Sequence, residues 1–265
     1  MISTLSGVTA AALYLLCVVH QIAAFRRQQP PARRLLYGLA LPAVALHALS
    51  LSQTLIHPEG VDLSLLTIAA LIALIMIVFV LLANLWQPLD NLFVLIFPLG
   101  AVALIGSLMS AGTTHLRESF DAGLVTHMVF SLLAYTILAM AAVQSIAVWV
   151  QERGLKSHQP IALLRLLPPL LSMERMLFQL LWTGFVLLTA AITSGFVFLT
   201  DLFAQNVAHH TFFSLISWLI FAALLTGHHV FGWRGATATR WTLTGFAFLA
   251  LAYFGSKFVL EFLLT

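Results

Sequence analysis

Eight long apolar runs alternate with short polar segments along the chain. Each is close to the roughly 20 residues that a helix needs to cross a hydrocarbon core of about 30 Å. They cover approximately residues 3–24, 35–56, 63–85, 91–110, 123–149, 176–199, 211–231 and 241–264. The interruptions are Arg26 to Arg34, His57 to Asp62, Trp86 to Asn91, Gly112 to Ala122, Gln151 to Arg175, Asp201 to His210 and Gly232 to Arg240. No interruption is long enough to fold separately. The pattern predicts an all-α integral membrane protein, a bundle of eight transmembrane helices in one domain, with four helices in 1–122 and four in 123–265. Pro98 and Gly100 break the fourth run, where freed backbone groups need partners from neighbouring helices. Ile161 to Leu171 is apolar around Pro168 and Pro169 but too short to span, and is expected to lie in the interface before the sixth helix. No internal repeat is visible, which weighs against inverted-repeat transporter folds.

Composition agrees with the pattern: of 265 residues 61% are hydrophobic and 8% charged, where a soluble domain carries about 25% charged. The formal net charge of +3 and a pI near 9.4 would fit an acidic partner if the cations formed one patch, but they follow the loops instead. Arg26, Arg27, Arg33, Arg34, Arg153, Lys156, Arg165, Arg175, Arg234 and Arg240 fall on one side, and only Arg117 and Lys257 on the other. By the positive-inside rule the first group is cytoplasmic and both termini are periplasmic. The basic pI thus reports orientation in the bilayer and not nucleic-acid binding. The first basic residue, Arg26, follows the first run, so that run reads as a retained helix and not a cleaved signal.

Several chemistries are excluded by what is missing. A single cysteine, Cys17, leaves no disulfide framework, no CxxC redox pair and no CxxCH haem attachment. There is no phosphate-binding loop, dinucleotide fingerprint, HExxH or GxSxG, so the chain reads as non-enzymatic. Ten histidines in so apolar a chain do need an account, because ionisable groups at membrane depth are costly and usually face a site. His127, Ser131 and Tyr135 recur at i, i+4, i+8; His210, Ser214 and Ser217 at i, i+4, i+7; His47, Ser50 and Thr54 form a similar stripe. Each histidine heads a polar ridge that should face the bundle, and Thr189, Thr193 and Gly195 give the sixth helix a small polar face beside them.

Neutral imidazole is a ligand for haem iron. His127 and His210 are candidate iron ligands, His209 and His47 further cofactor-binding candidates, and Lys257 with Arg117 the cations available to haem propionates. Two imidazoles and a macrocycle exceed ordinary helix separations of 8–10 Å, so such helices are expected to splay. The competing reading makes each histidine an interfacial anchor bonded to water or a backbone carbonyl. Five tryptophans, Trp86, Trp149, Trp182, Trp233 and Trp241, read as a cytoplasmic aromatic belt, with Trp218 inside the seventh helix.

Three segments, THMVFSLLAYTILAMAAVQSIAVWVQERGLK (126–156), LPPLLSMERMLFQLLWTGFVLLTAAITSG (167–195) and HHTFFSLISWLIFAALLTGHHVFGWRG (209–235), with the closing YFGSKFVLEFLL (253–264), resemble the cytochrome c assembly family of membrane proteins. These are CcsA-type haem handlers, and the likeness is to their HemX- and YpjD-like inner membrane branch. The first four helices resemble the family only in layout. The resemblance implies an outward-facing site for haem b, with His127 in the place of an outer axial ligand. TDLFAQNVAHH (200–210) stands where haem-delivering members carry a Trp-rich segment, and Lys257 stands in the region of their second outer histidine. The implied function is non-catalytic: a haem-binding inner membrane protein in cytochrome c or other haem-protein assembly, its partners the lipid bilayer and haem-protein assembly proteins. The alternative is a HemX-like regulatory or interaction subunit of a membrane complex that no longer binds haem. A transporter is the third reading, disfavoured because no acidic residue falls within a span except near its ends.

Overall fold

The structure, a computed structural model, describes residues 2–27, 29, 32–86, 89, 92–109, 116–117, 121–156, 168–198 and 208–255. Among them are eight α-helices: α1 (Ile2–Arg26), α2 (Arg33–Leu55), α3 (Leu65–Ala83), α4 (Phe93–Met109), α5 (Ala122–Lys156), α6 (Leu170–Phe198), α7 (Ala208–Phe231) and α8 (Gly235–Ala250). A π-helical turn, Leu251–Gly255, follows α8 directly. Six helices (α1, α2, α3, α5, α6 and α7 from His210) are long and apolar enough to cross a membrane. The other two, α4 and α8, have 17 and 16 residues. The helices form two compact units, α1–α4 and α5–α8.

Several ends differ from the apolar runs. α5 continues past residue 149 to Lys156, α6 starts at Leu170, and α8 starts at Gly235. The cause is general: hydropathy marks the stretch that suits hydrocarbon, whereas backbone hydrogen bonding carries a helix on into water through polar residues. The expected interfacial stretch lies mostly outside the described residues, and its last two positions belong to α6.

In the first unit α1 packs on α2 and α4, and α3 on α4 and α2. Its centre is an aromatic column in which Tyr14 stacks on Phe97 at 5.4 Å and Phe97 on Phe93 at 4.9 Å. α4 runs through Pro98 without ending. A small antiparallel sheet not foreseen from the sequence, β1 (Ile56–His57), β2 (Gly60–Asp62) and β3 (Leu116–Arg117), occupies two of the interhelical segments. Its buried Asp62 carboxylate accepts from the Ser64 backbone N–H, the Ser64 hydroxyl and the Thr67 hydroxyl at 2.8–2.9 Å, so the charge is hydrogen-bonded where α3 begins.

In the second unit α5 packs along α6 and α8, and α7 lies on α8 and α6. Gly184 permits the close α5–α6 approach: a Cβ there would stand 2.6 Å from Leu138 Cδ2. Polar bonds tie the helices at depth. The Gln144 amide donates to the Met173 carbonyl at 3.0 Å, and Thr239 to the Ser145 carbonyl at 3.0 Å. Ser217 donates to the Gly245 carbonyl at 2.8 Å. α7 ends where Gly232 takes φ +67, the left-handed conformation that glycine adopts without a Cβ penalty.

Candidate functional site

Four helices meet around one cavity at the end of the second unit where α5 begins. Its wall includes His127, Ser131 and Tyr135 from α5, Ala191 and Gly195 from α6, His210 and Ser214 from α7, and Leu249 from α8. The positions recur every three or four residues on α5, α6 and α7, so each of these helices contributes a single face. The cavity measures about 60 Å³, room for a few water molecules if polar partners are present.

His127 is fixed in one tautomer. Its Nδ1 lies 2.9 Å from the Ala191 carbonyl oxygen, which can only accept, so Nδ1 carries the proton and Nε2 keeps the lone pair. Ser131 Oγ is 3.4 Å from that Nε2. Ser194 also donates to the Ala191 carbonyl, at 2.9 Å, and stands 3.5 Å from Nδ1. An imidazole whose Nδ1–H is held by a backbone carbonyl presents Nε2 in the orientation and basicity of a metal ligand.

His210 is held differently. It has no hydrogen bond to a described residue, and the edge of Tyr253 meets its ring at 6.2 Å between centroids. Tyr253 also meets Tyr135 edge-on at 6.0 Å, and the Tyr135 hydroxyl donates to the Leu249 carbonyl. The π turn therefore supplies an aromatic wall behind His210, joined to α5 through Tyr135.

His127 and His210 are thus brought to one cavity. His47 is not among them: it lies in the first unit, fully buried, its Nδ1 3.2 Å from the Tyr14 hydroxyl. His209 falls in the first turn of α7, its side chain outside the description, and Lys257 and His115 lie outside the described residues. Of the ridge residues, Ser131, Tyr135 and Ser214 line the cavity, while Ser217 bonds α8 and Thr189 accepts the Trp218 indole N–H at 2.9 Å. The Ala191 carbonyl, Ser194 and Tyr253 were missed; no side-chain pattern marks a backbone acceptor, and Tyr253 reaches the site through the π turn. The His127–Ala191 bond ties α5 to α6.

Both side chains are of a type that can ligate iron: one imidazole has a directed lone pair and the other has no hydrogen bond to a described residue. The enclosed space is smaller than a porphyrin. Among the described residues no three His, Cys, Asp or Glu side chains converge as a metal site.

Comparison with known proteins bears on most of the chain. The family model described as Cytochrome C assembly protein matches residues 37–264, taking in most of the first unit as well as the second. The "Inner membrane protein YpjD" of Escherichia coli (strain K12) is 31% identical over 233 residues, covering 86% of this chain and 87% of the relative. An Azospirillum brasilense protein named "Uncharacterized 28.8 kDa protein in nifR3-like 5'region" is 34% identical over 204 residues, covering 75% of this chain and 74% of that one. No solved structure matches. With the match running from α2 past the π turn, the chain belongs to the cytochrome c assembly protein family.

Proposed function

We propose that the protein is a non-catalytic, haem-binding component of cytochrome c or other haem-protein assembly, resident in a bacterial inner membrane as a multi-pass protein. The observation that carries this reading is the Nδ1–H of His127 held by the Ala191 carbonyl, which leaves Nε2 as a ligand beside a cavity that His210 also lines. Haem b would supply a redox-active iron there, and His127 through Nε2 and His210 are the residues that would hold it, with Ser131 and Ser214 as the nearby hydroxyls. Admitting a macrocycle to a cavity of about 60 Å³ entails drawing the start of α7 away from α6. The loop charges support a periplasmic position for both termini and for this site. Lys257 is the cation proposed for a propionate.

The cavity's size favours a second reading, a HemX-like interaction subunit that keeps the scaffold without the cofactor. An absorption spectrum of the purified protein, before and after haem loading and with and without reductant, separates the two. The first reading expects a low-spin b-type Soret band that His127→Ala removes. A featureless spectrum in all conditions overturns it and leaves the second.

A further inference from the structure

A second, larger opening lies at the other end of the α5–α8 unit. His210 and His228 are eighteen residues apart on α7, which sets the two places about 27 Å apart along the axis. Here a cleft of about 550 Å³ opens between the start of α6 and the α7–α8 turn. Its floor is built. Glu174 Oε1 accepts from the Gly235 N–H at 3.2 Å, pinning α6 to the turn. His228 donates from Nδ1 to the Trp233 carbonyl at 2.8 Å, and its ring lies flat on Phe178, centroids 3.4 Å apart.

The rim has two characters. Arg175 and Arg234, from α6 and from the turn, both line the cleft and are exposed, and neither has an ion-pair partner among the described residues. The other cations described at this end are differently disposed: Lys156 pairs with Glu152 at 2.6 Å, Arg153 lies over the Trp149 ring, and Arg240 is not among the lining residues. Beside the two guanidinium groups the lip is apolar, with Leu171 and Trp182 59% and 52% exposed. Trp182 sits on a helix long and apolar enough to cross a membrane, and indole rings favour the headgroup level.

Two guanidinium forks on separate elements suit a phosphate, which each can grip through paired N–H donors. The Glu174 carboxylate in the same wall, which accepts from Gly235, offsets one of the two positive charges and leaves the lining net cationic. The apolar lip has no use for a small soluble anion and suits an acyl chain leaving the cleft. We propose that this cleft binds the phosphate headgroup of an anionic phospholipid, with Arg175 and Arg234 on the phosphate and Trp182 and Leu171 against the chains.

The test is native mass spectrometry of the full-length protein in detergent, titrated with phosphatidylglycerol, with phosphatidylcholine and with inorganic phosphate. Phosphatidylglycerol should bind roughly tenfold more tightly than phosphatidylcholine. That preference should vanish in the double variant Arg175→Gln, Arg234→Gln, persist in Arg153→Gln, and be largely kept in Arg175→Lys, Arg234→Lys. Both glutamine positions are exposed, and gel filtration confirms that the variant is folded. Equal binding of the two lipids overturns the proposal, as does an equal loss in Arg153→Gln. Displacement of phosphatidylglycerol by millimolar inorganic phosphate would reassign the cleft to a soluble phosphate and overturn the lipid assignment.

Discussion

His47 and His127 look alike along the chain, each heading a stripe of hydroxyl residues on an apolar helix, yet the two units use them in opposite ways. In the α1–α4 unit the space beside the histidine is filled: His47 is fully buried, bonded to Tyr14, and Tyr14 continues into the Phe97–Phe93 stack. In the α5–α8 unit the space is left open. His127 is bonded on the far side, to α6, and its other nitrogen stands at a cavity. The Tyr14 ring, backed by Phe97, closes the first site, and Ala191 and Gly195 leave room in the second. Polar spacing therefore locates a stripe, and the bulk of the facing residues decides whether it becomes a core contact or a site.

The contrast is broken most sharply by exchanging the histidines' roles. His127→Ala should abolish the Soret band of haem-loaded protein, with apparent haem affinity falling roughly 100-fold, whereas His47→Ala should leave the spectrum unchanged. A spectrum that responds to His47 instead would reverse the assignment of the two units. Next in size is Gly184→Val: its added atoms meet Leu138, forcing α5 from α6 at a cost of about 1–3 kcal/mol. It should lower the thermal aggregation temperature in detergent and disturb the His127–Ala191 bond together.

Smaller effects sharpen the comparison. Tyr135→Phe frees the Leu249 carbonyl and loosens the wall behind His210, costing about 0.6 kcal/mol as for other hydrogen bonds between membrane helices. It should shift the haem spectrum while barely changing stability. Tyr14→Phe removes a bond of similar worth from His47 and keeps the aromatic column. A small loss of stability with no spectral change is the expected outcome, and a spectral change would tie the first unit to the cofactor.

Much of the helical layout could be read from the chain because the bilayer imposes one rule, about 20 apolar residues per crossing, and the runs obey it. The ends could not, as α5 and α6 show, because helices do not stop where hydrocarbon does. The small sheet escaped notice because its longest strand has three residues, too few for any alternation. Within the site, His127 and His210 stood out as ionisable groups among apolar ones. Their surroundings did not. The Ala191 carbonyl and the small side chains of Ala191 and Gly195 acquire meaning only once α6 is laid against α5, and nothing in the spacing separates His47 from them before Tyr14 is seen to fill its neighbourhood.

The π turn after α8 has a consequence for the helix's phase. An α-helix advances about 100° per residue, and a π turn takes in roughly one residue more than an α turn. The side chains of Leu251–Gly255 are therefore out of step with the periodicity of Gly235–Ala250. Tyr253 meets His210 from within that turn. Removing a single residue here would restore the phase and rotate Tyr253 off the imidazole, so this short stretch acts as an adjustable vernier, in which one inserted or deleted codon selects the ring that His210 sees.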